Sequence, residues 1–466
     1  MPAQLLSPAT QLISMLLWTH WLAPVEMGLF TLVTVTQELT FMVCLGWFSV
    51  YTLRYLPSSA DFSARQRYLG TENTIVLASI SGSLVSAAIT TLTIYEGHEL
   101  WLTTLEIGLF FITRAFNTHY SERARAQSAF LAYTLLQTAG PLGGLGLGLL
   151  AFQFFNASAL VLLASYTVAQ ALGLLFALPM LGMRWRLFRP DRTLLVAALA
   201  FGAPMLGLRS LGWIAENYIR YLVQWGEGAA ALGLMVVGWS LGQRCASVAS
   251  MLVVTAAFPL ASRLLNEGRR DEAMTQLRVN AVMLLAVLVP VTAAAELLGS
   301  TLVALAVAPE YQQTTKALFG LSVLGGMLRN LYVHITVQVM VLELRLIQAA
   351  VVTSIEIITS IIASLVGLHL YGLQGAIIGQ ALGSLLTLGL SMHLAHFRQG
   401  FSWPWPETAK ILLATALMAA VITRFGGEPT LRGLLMDTAL GILSYAFALA
   451  FLFTRELLLL LRAVHT

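Results

Sequence analysis

Charge is what this 466-residue chain lacks most. Asp, Glu, Lys and Arg make up 10% of it, where a soluble globular protein carries about 25%. Only Lys316 and Lys410 are lysines. With 58% of residues hydrophobic and a mean hydropathy of +0.79, there is too little polar side chain to cover a water-facing surface. A soluble enzyme, a nucleic-acid binder and a disordered scaffold are thereby excluded. Cysteine is scarce as well: Cys44 and Cys245 both fall inside apolar runs. A disulfide framework is not in question, and no Cys/His cluster has metal-ligand spacing. The opening MPAQLLSPATQLISMLLW has neither a basic leader nor a small-residue cleavage site, so it reads as mature protein. There is no Ser/His/Asp set, no phosphate loop with its lysine and no HExxH. No cofactor is expected, and no polar stretch is long enough to house a glycosyltransferase, a polymerase site or a nucleotide-binding domain.

What fills the chain is a series of long apolar runs broken by Pro, Gly and charge. At about 20 residues per crossing, they predict an all-α polytopic membrane protein with about fourteen transmembrane helices. Their centres fall near Met15, Glu38, Gly82, Leu109, Gly140, Tyr166, Arg209, Cys245, Val289, Arg329, Ile357, Ser384, Leu417 and Tyr445. The first is short and polar for a span. Alternating the loops puts eighteen basic residues on one side and three, Lys316, Arg424 and Arg432, on the other. The positive-inside rule makes the arginine-rich side cytoplasmic, with both termini inside and an even number of spans.

An internal repeat is visible. MGLFTLV from Met27 answers LGLMVVG from Leu232, and QALG at Gln170–Gly173 answers QALG at Gln380–Gly383. Halves of equal parity are parallel repeats about an axis along the membrane normal. This divides the chain into a six-helix lobe over 1–183, a second over 193–398 and two additional helices over 404–466. Parallel repeats with short loops are the architecture of an alternating-access transporter.

Charge within a span is costly and marks a cavity, a partner or a pathway. Arg209, Trp213, Glu216 and Arg220 share one helical face, as do Ser240, Arg244 and Ser247. In the tenth span Arg329, Tyr332 and Thr336 form one stripe and Asn330, His334 and Gln338 the next; Thr353, Glu356 and Ser360 line the eleventh. Such stripes suit a polar cavity rich in arginine. The planar guanidinium matches phosphate oxygens bidentately, so an anionic, phosphorylated substrate is expected. The structural alternative is that Arg209 or Arg329 pairs with Glu356 only to fix helix packing. Glu38 is either a coupling-ion carboxylate or the partner of an arginine, and Glu356 is the second candidate for ion coupling. Gly140, Gly144 and Gly148 mark a close helix contact.

At this point the residues resemble a family. WLAPVEMGLFTLVTVTQEL, the TLRYL that ends the second span, FGAPMLGLRSLGW, GLMVVGWSLGQR, FPLASRLLNEGRRDEA and LYGLQGAIIGQALGSLL are together similar to Wzx-like polysaccharide flippases. These belong to the multidrug/oligosaccharidyl-lipid/polysaccharide exporter superfamily. The resemblance implies two six-helix lobes in a V, two further helices, and flipping of undecaprenyl-pyrophosphate-linked glycan from the cytoplasmic to the periplasmic leaflet of a bacterial inner membrane. It implies that pyrophosphate-binding arginines fall on Arg209 and Arg244, with Arg54 at the cytoplasmic mouth; Arg329 is added from its mid-span position. Trp213, Glu216, Asn330 and His334 complete the candidate substrate site. The chain departs from the family at Thr19–Pro24, where many members carry an arginine, and at Glu216–Tyr218, where members often have Asp-Arg. Expected partners are the lipid-linked anionic glycan, the bilayer, and a glycan polymerase or other polysaccharide-assembly proteins. The rivals are a cation antiporter of the same superfamily and a non-transporting subunit of a polysaccharide-synthesis complex.

Overall fold

A computed structural model describes residues 2–56, 62–95, 99–182 and 190–454. Among them there is no strand. The helices are α1 (Pro2–Thr19), α2 (Pro24–Tyr55), α3 (Phe62–Ile94), α4 (Leu100–Ala126), α5 (Phe130–Ala151), α6 (Ala159–Met180), α7 (192–227) and α8 (229–266). They continue with α9 (Arg270–Ala306), α10 (Pro309–Leu342), α11 (346–370), α12 (373–399), α13 (Trp405–Phe425) and α14 (Leu431–Leu452). Ten continuous helical stretches are long and apolar enough to cross a membrane. Two of these are broken in mid-course, between α7 and α8 and between α11 and α12. With the short α1 and the more polar α4, the described residues thus form about fourteen passes, each on one of the predicted centres. Arg184, Arg186, Arg189, Arg455 and Arg462, all counted on the arginine-rich side, lie outside the described residues.

Local chemistry sets the ends of the helices. Gly228 (φ 84°, ψ 179°) and Gly372 (φ 59°, ψ −145°) occupy backbone conformations that a side chain resists, so each breaks the helix almost without a loop. Pro24 and Pro309 start α2 and α10, where the missing N–H is no loss. Ser158 and Thr430 cap α6 and α14 by accepting from Val161 and Gly433 N–H at 3.3 and 3.1 Å. Asp191 caps α7, accepting from the Thr193 hydroxyl and from the amides of Thr193 and Leu194; these bonds hold its carboxyl below the usual aspartate range. The polar stretch 55–72 reads as a connection in the sequence, yet α3 already begins at Phe62. Its polar first turns prolong the backbone ladder beyond the apolar run.

Three helices contain a π turn: Met42–Gly46 in α2, Ala139–Gly143 in α5 and Tyr332–Thr336 in α10. In α5 the turn contains Pro141, which lacks the amide an α-helix needs.

The chain forms two compact units, Met1–Gly233 and Leu234–Thr466. The first is packed around Leu45, Phe48 and Tyr68; around Tyr120, Leu136 and Leu174; and around Val33, Phe110 and Leu163. In the second, one large core gathers Leu277, Leu284, Leu288, Tyr332 and Leu388 with Ile411. The last two helices belong to that core: Tyr445 of α14 donates to the Ala286 carbonyl of α9 at 2.7 Å, and Arg278 of α9 meets Glu407 of α13 at 3.1 Å.

Gly28 and Gly233, which the sequence pairs in its repeat, have matching surroundings. A Cβ on Gly28 would overlap the carbonyl of Ala229, and one on Gly233 the carbonyl of Pro24. The contact is reciprocal between repeat-related positions, so the starts of α2 and α8 meet backbone to backbone. Gly173 and Gly383, the last residues of the two QALG segments, each lie against the preceding helix, at Ala139 and at Ser360.

Candidate functional site

The residues singled out in sequence divide between the units. In the first, Arg209 is exposed in the middle of α7, with Glu216 also exposed and Trp213 half-buried between them. The Trp213 ring lies 6.0 Å from Tyr221, which lies 6.0 Å from Trp225, an aromatic ladder along α7. Tyr221 shares a 2.8 Å hydrogen bond with Thr36 of α2. The Trp213 Nε1 is shielded from solvent with no acceptor in reach among the described residues, which leaves a donor for a bound molecule. Arg220 donates to Asn217.

Glu38 of α2 is held by Arg114 of α4 at 3.0 Å, with side chains 47% and 29% exposed. The neighbours of Glu38 on α2 are tied as well: Gln37 donates to the Phe111 carbonyl at 3.5 Å and Thr40 meets Ser86 at 2.6 Å. Arg54, near the C-terminal end of α2, lies exposed over the rings of Tyr55 and Phe201, 5.5 Å from each centroid.

In the second unit Arg244 is half-buried on α8. Arg329 Nε lies 3.4 Å from Glu356 Oε1, joining α10 to α11. Glu356 is 3% exposed by side chain and accepts from Tyr332, and from Ser384 of α12 at 3.3 Å. This carboxylate is therefore the hub of three helices. Asn330 accepts from Ser250 of α8 at 2.7 Å and donates to the Gly326 carbonyl at 2.7 Å. His334 is half-buried in the π turn of α10.

One cluster of charge went unread in the sequence. Glu72 of α3 is fully buried against Arg123 and His119 of α4. The available signal was the i,i+4 spacing of His119 and Arg123, which puts them on one face; Glu72 gave none, lying in a polar flank.

Apolar passes of this length, short connections and charge held between helices define a multi-pass membrane protein. The fold is that of the flippases and transporters of the MOP superfamily. The lipid II flippase MurJ, in an inward closed conformation, matches over 98% of this chain and 98% of its own, with a TM-score of 0.68 at 14% identity. An inward-facing multidrug resistance MATE family transporter of the MOP superfamily matches over 84% of this chain and 94% of its own, with a TM-score of 0.58 at 14% identity. A MATE structure in complex with MaL6 matches over 85% and 93%, with a TM-score of 0.50 at 14% identity. No protein-family profile matches the sequence, and no curated protein matches it in sequence.

Proposed function

We propose that this protein flips an undecaprenyl-pyrophosphate-linked oligosaccharide, the repeat unit of an exopolysaccharide or O-antigen, from the cytoplasmic to the periplasmic leaflet of a bacterial inner membrane. The observation that carries the reading is the match to a lipid II flippase along 98% of both chains, whereas the MATE transporter's match stops at 84% of this one. The arginine bias of alternate loops supports termini on the cytoplasmic side. Lobes over 1–183 and 193–398, with an appendix over 404–466, belong to the same reading.

The guanidinium groups of Arg209 and Arg244 neutralise the pyrophosphate, and Arg54 receives it at the cytoplasmic end. Trp213 offers the glycan an aromatic face and an N–H. Glu216, Asn330 and His334 supply further polar contacts. Arg329 already faces Glu356, and Glu38 already faces Arg114, so coupling an ion at either carboxylate requires its arginine to let go. Substrate drives a directional alternating-access cycle only by binding the two end states unequally. A glycan polymerase or another polysaccharide-assembly protein then receives the flipped unit.

The test is reconstitution. Vesicles holding the purified protein should expose an inner-leaflet, fluorescently labelled polyprenyl-pyrophosphate oligosaccharide to a membrane-impermeant quencher. No protein-dependent exposure, with uptake of a cationic dye under an ion gradient, would replace the flippase with an antiporter.

A further inference from the structure

The buried ionic cluster of the first unit has no part in the proposed substrate site. Arg123 Nη1 lies 2.5 Å from Glu72 Oε2 and His119 Nε2 lies 3.0 Å from Glu72 Oε1, all three side chains at most 1% exposed. α2 closes the cluster from the third side. Ser49 Oγ is 2.8 Å from His119 Nδ1, and the Tyr68 hydroxyl is 2.6 Å from Thr52 Oγ1 and 3.5 Å from Glu72 Oε1. Phe48 covers the imidazole, with ring centroids 6.0 Å apart. Burying ions is expensive even when they are paired, and well-packed apolar residues of similar volume often serve stability as well or better.

Counting hydrogens shows what the cluster can do. Glu72 and Arg123 offset each other, so the protonation of His119 sets the net charge. Ser49 has one hydroxyl hydrogen and two acceptors in reach, His119 Nδ1 at 2.8 Å and the Leu45 carbonyl at 3.1 Å. With a neutral ring protonated on Nε2, Ser49 donates to Nδ1 and Leu45 loses that bond. With the ring protonated on both nitrogens, Nδ1–H donates to Ser49, whose hydrogen returns to Leu45. Nε2–H donates to Glu72 in both states. The two states differ by one proton and by a bond to a carbonyl inside the π turn Met42–Gly46. π turns are frequent at functional sites. Tyr68 and Glu72 face the ring from α3, and Arg123 and Tyr120 flank it on α4. From α2 come the uncharged Ser49 and Thr52, and α7 adds the apolar Ala198 to the surrounding core.

We propose that Glu72, His119 and Ser49 form a proton-binding site, with His119 taking the proton and Ser49 relaying its presence to the π turn of α2. The site does not depend on the identity of the transported substrate. The test is hydrogen exchange on the full-length protein in nanodiscs of zwitterionic lipid, without substrate, at about pH 5.5 and about pH 8, a range that brackets imidazole titration. After correction for intrinsic rates, amides of residues 42–49 should exchange at least about threefold differently at the two pH values. His119→Gln should abolish the difference. Ser49→Ala, which leaves the ion pair and the imidazole in place, should abolish it too while single-proton uptake on acidification persists. A wild-type protein with no pH difference, or variants that retain it, would overturn the proposal.

Discussion

Arginine inside this bundle is held in two ways. Arg114, Arg123 and Arg329 face carboxylates on other helices, whereas Arg209 stands exposed on α7. The two classes should respond oppositely to truncation. Arg209→Ala should slow flipping about ten- to a hundredfold, the loss of one charge-assisted hydrogen bond of about 1.5–3 kcal/mol, with little change in melting temperature; Arg244→Ala should slow flipping to a similar degree. Arg329→Ala leaves Glu356 buried without its cation and should destabilise the fold by about 3–5 kcal/mol. Vesicle flipping rates and thermal melts of the three variants separate these outcomes, and full flipping by both Arg209→Ala and Arg244→Ala would remove the pyrophosphate clamp. Arg209, Arg244 and Arg329 stood out because a guanidinium inside an apolar run calls for a cavity or a partner, and Arg329 has the partner that the structural alternative names, Glu356. The choice between partners was not legible. Glu356 pairs across 27 residues and Glu72 meets Arg123 across 51, and nothing in spacing along one helix chooses between helices.

At the scale of the element, the helices follow from hydropathy and their ends from Pro, Gly and capping residues, so the centres of the passes and their approximate number could be read directly. The kind of turn joining them could be read less well. The α7–α8 connection shrinks to Gly228 because that residue alone leaves the helical conformation, and α3 starts earlier than its polar residues suggest. Of the three π turns among the described residues, the one in α5 had a visible cause in the sequence, Pro141. Gly28 and Gly233 give the sharpest test at this scale. Each lies against the other helix's backbone, so the contact cannot relax by turning a side chain. Gly28→Val should lower the yield of folded protein severalfold and the melting temperature by several degrees, the effect of over-packing at about 1–3 kcal/mol. Gly146→Val, where a Cβ meets nothing within 4 Å, should be tolerated in both measurements.

For the whole molecule, the repeat read in the sequence has one counterpart in the packing. Gly28 and Gly233, 205 positions apart, meet Ala229 and Pro24, also 205 apart, and the last two helices join the second unit's core through α9. The match in fold along 98% of a lipid II flippase supports the proposal that the protein moves a lipid-linked anionic glycan across the bilayer. The claim is tested most directly by the sidedness of the undecaprenyl-linked glycan pool in membranes of a strain lacking the protein. The account predicts that repeat units accumulate facing the cytoplasm and are cleared when the protein is restored. A pool of unchanged size and sidedness would contradict it.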